Sequence, residues 1–299
     1  MTAAAHTELV RDGSDVAGLY GPDSEAWRLD REAMLLLAAG PRALLLQVAH
    51  PLVAEGVAHH SRFRDDPWQR LRGTLESYLR IVYGTTAAAR AEIRRLNELH
   101  RSIGGAVEDA TARERHGATY SARDPELSLW VHATLVDSTI VAYDRWLEPY
   151  DRTARARFYD ETRPIGRAFG IPDTLLPRDL AGFERYMDDM LRPGGPITVT
   201  PTARDIGEAI LHPPLGPVVP ALRWLPAPLY SWTLWPAVGL LPARIRDEFG
   251  LAWGAKERAI ERWLVATWRA WRPLIPTSLR WMPQARAADR RLARKSDRQ

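Results

Sequence analysis

The sequence predicts an all-α fold: one multi-helix domain whose C-terminal third is irregular and rich in proline and tryptophan. Three observations carry this. Apolar residues recur at spacings of three and four through most of the 299 residues, proline or Asx residues stand where helices would begin, and no stretch shows convincing strand alternation. With 45% hydrophobic and 26% charged residues the chain can bury a sizeable core. No internal repeat of fixed period is found.

Residues 1–22 form an N-terminal segment carrying Glu8, Asp12 and Asp15 with no apolar run. It does not resemble a secretory signal, so a cytoplasmic location is the expectation. A first helix opens at Asp23 or Ser24 and runs through Ala26, Leu29, Ala33 and Leu36 to Gly40; Pro41 is expected to start a second, ending near His59. Asp66-Pro67 starts a third, because proline suits the first helical position and aspartate caps free amides. That helix runs to Tyr83 and stops at Gly84. Thr85 or Thr86 caps the next, which passes through Ile93, Leu96, His100 and Ile103 and is closed by Gly104 and Gly105. Asp124-Pro125 opens a long helix to about Trp146, and further helices are expected at about 152–169, 177–191, 202–211, 242–250 and 254–271.

Between His212 and Pro242 lie eight prolines, and eight of the twelve tryptophans follow from Trp224 onward. Tryptophan buries a large area, so this segment reads as wrapped over a helical core. The 20 charge-free residues from Trp224 to Ala243 have the length of a membrane span, but Pro226, Pro228, Pro236 and Pro242 interrupt it. Broken backbone is costly in lipid, which leaves core cover or a segment lying on a membrane surface. Residues 23–284 are expected to form the domain, and 285–299 a frayed basic tail.

Charge and composition exclude several classes. The formal net charge is +4, but seven Arg or Lys against two Asp between Arg280 and Gln299 account for it, and the remaining body is close to neutral. Without a groove-reading motif, that distribution argues against nucleic acid as a partner. The chain has no cysteine, which removes disulfides, Cys-ligated zinc, iron–sulfur clusters, thiolate-ligated haem and cysteine nucleophiles. It also lacks the nucleophile-elbow, zincin, Walker and dinucleotide signatures and the Glu-x-x-His spacing of di-iron bundles.

What remains are histidines in helical, apolar company: His50, the pair His59 and His60, His100 and His132. For each, hydrogen-bonded packing stands beside metal ligation. His100 is the strongest candidate ligand, because it lies on an apolar stripe and imidazole is the natural axial ligand of haem where no thiolate exists. On the preceding helix Arg70, Thr74 and Tyr78 follow one another at intervals of four, so they share a face. That face is either an exposed polar stripe or, if buried, suited to hydrogen-bond a bound oxygen species or a haem propionate.

An ordered set of blocks carries a resemblance. His50-Pro51-Leu52-Val53-Ala54-Glu55-Gly56-Val57, Ser61-Arg62-Phe63, Asp66-Pro67, Arg70-Leu71-Arg72-Gly73-Thr74 and Val82-Tyr83-Gly84 are followed by Leu99-His100-Arg101-Ser102-Ile103-Gly104-Gly105. Tyr120-Ser121-Ala122, Trp130-Val131-His132-Ala133-Thr134-Leu135, Leu241-Pro242-Ala243-Arg244-Ile245-Arg246 and Leu251-Ala252-Trp253 come next. Together they resemble the MpaB-type oxygenase family over roughly residues 25–290. That family includes the latex clearing proteins, all-helical enzymes with one non-covalent b-type haem that cleave carbon–carbon double bonds with dioxygen; its fungal members cleave a prenyl-type chain.

The resemblance implies a latex-clearing-protein type of fold and haem b as the iron-bearing cofactor. It makes His100 the proximal ligand and Arg70 and Thr74 the distal, catalytic-side residues. Dioxygen and a small apolar substrate, unsaturated or of terpenoid or lipid-like kind, would be the partners. Two departures stand out. Gly73 occupies the place of a lysine that precedes the distal threonine in latex clearing proteins, and neither Glu55 nor Glu76 matches their catalytic glutamate well. Polyisoprene is therefore not the expected substrate. Competing readings are a non-catalytic helical module for a hydrophobic ligand or membrane surface, and a haem protein with a peroxidase-like or gas-sensing role.

Overall fold

A computed structural model describes residues 15–61, 67–212 and 235–296. The fold is all-α, as expected. The first half contains α1 (Glu25–Asp30), α2 (Ala33–Val48), α3 (Pro51–His60), α4 (Pro67–Tyr83) and α5 (Thr86–Arg101). A two-stranded antiparallel pair, β1 (Gly104–Ala106) and β2 (Thr119–Ser121), brackets α6 (Ala110–His116). There follow α7 (Pro125–Trp146), α8 (Arg152–Ala168), α9 (Leu180–Leu191), α10 (Pro201–Leu211), α11 (Trp235–Gly239), α12 (Ala243–Glu248), α13 (Ala255–Trp271), α14 (Thr277–Arg280) and α15 (Pro283–Ser296).

The core is the seam between α2 and α7. Leu35, Ala38, Leu45 and Leu46 of α2 pack in one buried cluster with Trp130, Ala133, Val136, Ile140 and Tyr143 of α7. All of α2 except Leu37, and residues 127–146 of α7, are buried or half-buried, which marks central elements. Two polar links fix their register. Trp130 Nε1 donates to the Leu46 carbonyl at 3.1 Å, and buried Arg42 pairs with Asp137 at 2.7 Å while also donating to Ser138 Oγ and the Leu240 carbonyl, each at 2.8 Å.

Four expectations are corrected. The first concerns Pro41, which starts no helix and lies inside α2. It shares the outer side of α2 with Leu37, an exposed residue, and with Gly40, whose Cβ position meets open space, so the carbonyl that loses its donor faces outward. The break falls instead at Ala49–His50, where the chain turns by 100° into α3. There His50 Nδ1 accepts from Leu52 N at 3.2 Å and Pro51 takes the first helical position.

Second, Gly104 and Gly105 do not close α5. The helix ends at Arg101, and the glycines enter β1, pairing with Ser121 and Tyr120. Strands of three residues are too short to show alternation. Third, part of the Pro- and Trp-rich stretch is regular: Trp235–Gly239 is helical, with Pro236, Ala237 and Val238 buried, while residues 213–234 lie outside the described residues, as does the Asp66 cap.

Fourth, the segment read as a frayed tail is α15. Ala285 and Ala288 are small enough to seat it against Trp27, Leu79, Val82 and Tyr83, and Arg291 donates to the carbonyls of Val16 and Tyr83, both at 2.9 Å. Among the described residues no single helix is long and apolar enough to cross a membrane.

Candidate functional site

The candidate site is built on the antiparallel pair α4 and α5. Thr85 caps α5 by accepting from Ala88 N at 3.1 Å, and Gly84 makes the turn, since a Cβ there would stand 2.2 Å from the Arg80 carbonyl oxygen. One buried carboxylate ties the helices together. Glu92 accepts from Ser77 Oγ at 2.7 Å and from Arg95 at 2.5 Å, and pairs with Arg80 at 3.4 Å. The hydrogen bond from Arg95 leads in holding the Glu92 carboxyl below its usual range.

Continuing that register away from the turn sets Arg70 opposite His100. The electrostatics agree: burial first, and then the Arg70 guanidinium, lower the His100 imidazole below its ordinary value. His100 is therefore half-buried and neutral, with a nitrogen lone pair free for a metal. Arg70 is exposed to solvent, yet desolvation lowers its guanidinium too. Thr74 Oγ1 donates to the Arg70 carbonyl at 2.9 Å and accepts from Arg70 Nη1 at 3.5 Å. A Cβ on Gly73 would meet open space.

Tyr78, the next residue of the same stripe, points inward. Its hydroxyl donates to Asp30 Oδ2 at 2.8 Å. Asp30 is fully buried, its other oxygen Oδ1 has no partner, and burial pushes its carboxyl up to about 7 despite the Tyr78 hydrogen bond. The sequence reading missed Asp30, because a carboxylate in the last turn of a short helix carries no local sign of burial.

Asp30 gives a measurable consequence. The folded protein keeps this proton to about pH 7 while the unfolded chain releases it near 3.8, so this contribution to stability is present at low pH and falls as pH rises between those values. Asp30→Asn is expected to remove that slope and to be more stable than wild type at pH 8, by on the order of a few kcal/mol, in urea titrations across pH. His50 and His132 act oppositely. Burial lowers them to about 3 and about 4, so they favour the fold at pH values above 6.5 and weaken it progressively on acidification.

The other histidines serve elsewhere. His50 caps α3 and lies 5.0 Å, ring to ring, from His116. His59 Nδ1 is 3.0 Å from Tyr120 Oη, and its Nε2 lies 3.7 Å from Glu55 and 3.5 Å from Glu108; exposed His60 stands edge-on to Tyr120. His132 packs against Gly166, and its buried Nε2 has no hydrogen-bond partner. Both glutamates weighed as bases are engaged: Glu55 accepts from the amides of Glu108 and Asp109, and Glu76 pairs with Arg72 at 2.7 Å.

Among the described residues no three His, Asp or Glu side chains gather as a metal-binding group. A porphyrin supplies four ligands of its own and needs one imidazole, a donor set that His100 fits, with Arg70 beside it for an acidic substituent.

Comparison with known proteins adds the following. Residues 1–271 match the family model described as "ER-bound oxygenase mpaB/B'/Rubber oxygenase, catalytic domain". Two uncharacterized proteins, Mb2261 of Mycobacterium bovis and Rv2237 of Mycobacterium tuberculosis, are each 26% identical over 255 residues, covering 81% of this chain and 90% of theirs. No solved structure matches.

Proposed function

Because the chain belongs to the mpaB and rubber oxygenase catalytic-domain family, a family of oxygenases, we propose that it is a haem b-dependent oxygenase acting with dioxygen on a small apolar substrate. The observation that carries this reading is the pairing of a neutral, half-buried His100 with Arg70 across the α4–α5 hairpin. When bound, haem supplies an iron that activates dioxygen for transfer to carbon.

The chain's own residues have separable tasks. His100 offers a neutral imidazole nitrogen from the last turn of α5. Arg70 holds positive charge beside it for a propionate or a developing anion. Thr74 now gives its hydroxyl proton to the Arg70 carbonyl, and turning the O–H about the Cβ–Oγ1 bond would let it donate to a bound species instead. Exposed Leu75 and Leu99, on the same two helices, offer apolar surface for an unsaturated or lipid-like substrate. Behind the stripe, Tyr78 and Asp30 keep a proton in the dry interior.

The reading is tested by an absorption spectrum and pyridine haemochrome of protein purified from cells given a haem precursor, followed by oxygen uptake with unsaturated apolar compounds. A Soret band, about one b-type haem per chain and substrate-dependent oxygen uptake are expected. No haem after reconstitution with hemin would transfer the protein to the hydrophobic-ligand reading. Haem with peroxide turnover but no oxygen uptake would make it peroxidase-like.

A further inference from the structure

Residues 262–283 contain four arginines and no carboxylate. The same stretch gathers exposed apolar side chains: Trp263 (65% exposed) and Trp271 (61%) on α13, Leu274 (72%) in the turn that follows, and Leu279 (77%) on α14. The inner side of α13 meets the core through Val265, Leu264 and Trp268. Its outer side carries Ala259, Trp263, Ala266 and Ala270, all exposed and all uncharged. Among the described residues, packing accounts for the inner side alone. An outward row of this kind, ending in a corner of Trp and Leu, keeps large apolar surface in water.

Cations border this corner. Arg262 is exposed beside Trp263. Arg272 and Arg280 share one carboxylate, that of Glu32, at 3.2 and 3.1 Å, with Glu148 a further 3.9 Å partner of Arg272. Arg31 lies over the Trp281 ring at 4.4 Å. The positive charge thus exceeds what the local acids neutralise.

Tryptophan and leucine that enter an acyl boundary, with guanidinium groups at headgroup level, are the chemistry of a surface bound to anionic lipid. We propose that the Trp263–Leu279 corner seats the protein on an anionic bilayer, independently of any haem. This corner is distinct from the Trp224–Leu241 stretch, much of which lies outside the described residues.

The test is co-sedimentation of the full chain with phosphatidylcholine vesicles, with and without phosphatidylserine. Wild type is expected to pellet with the serine-containing vesicles, less so as salt is raised, with its tryptophan emission shifted to the blue. Trp263→Ser with Trp271→Ser is expected to weaken that binding about tenfold or more at unchanged circular dichroism, and Leu274→Ser with Leu279→Ser should act the same way without touching an aromatic ring. Wild type that stays in the supernatant, or variants that pellet like wild type, would overturn the assignment. Self-association that the tryptophan variant abolishes, without vesicle binding, would give the face to a second copy of the chain.

Discussion

His100→Ala protein is expected to come off the column without the Soret band of the wild type and to bind added hemin about a hundredfold or more weakly. Losing the orienting partner of a metal ligand already costs tenfold to a hundredfold, and losing the ligand costs more. The side chain is half-buried at the end of α5, outside the large core clusters, so helicity and the urea midpoint are expected to stay close to wild type. Added imidazole should restore part of the spectrum by filling the space that alanine leaves. A variant that keeps haem with an unchanged spectrum would move the assignment to His132, whose buried Nε2 has no partner, or to His50.

Arg42→Ala is expected to cost about 3–5 kcal/mol of folding stability, read from urea unfolding, because it strands a partner in a buried ion pair. Asp137 would lose its 2.7 Å counter-ion, while Ser138 Oγ and the Leu240 carbonyl would lose a donor. Arg42→Met combined with Asp137→Leu removes both charges and fills the volume, so the double variant is expected to recover most of the loss. Equal losses in the single and double variants would show that the α2–α7 seam depends on shape rather than on charge pairing. The bond to Leu240 also ties the C-terminal third to the core helix.

The parts of the fold legible in the sequence were those with local causes. Asp124-Pro125 and Thr85 start helices through caps formed within three residues of themselves, and both helices begin where expected. Pro41 misled because its effect depends on which side of α2 faces outward, a tertiary fact. α15 was hidden because two alanines among arginines give little hydrophobic signal, although their spacing of three is what lets the helix approach Trp27.

The candidate site divides in the same way. The spacing of Arg70, Thr74 and Tyr78 placed them on one face, yet Tyr78 reaches inward to Asp30 while Arg70 stays accessible. The juxtaposition of Arg70 with His100 follows from the Ser77–Glu92–Arg95 link between two helices, which leaves no one-dimensional pattern. The family resemblance names both residues, one as proximal and one as distal, and does not imply that they lie side by side.

The seat of α15 also sets an order of assembly. Trp27, Leu79, Val82 and Tyr83 come early, whereas Ala285 and Ala288, which complete their cluster, follow Tyr83 by about 200 residues. A nascent chain on the ribosome therefore carries the end of α4 partly uncovered until α15 has been made, and the hairpin bearing Arg70 and His100 is completed only then.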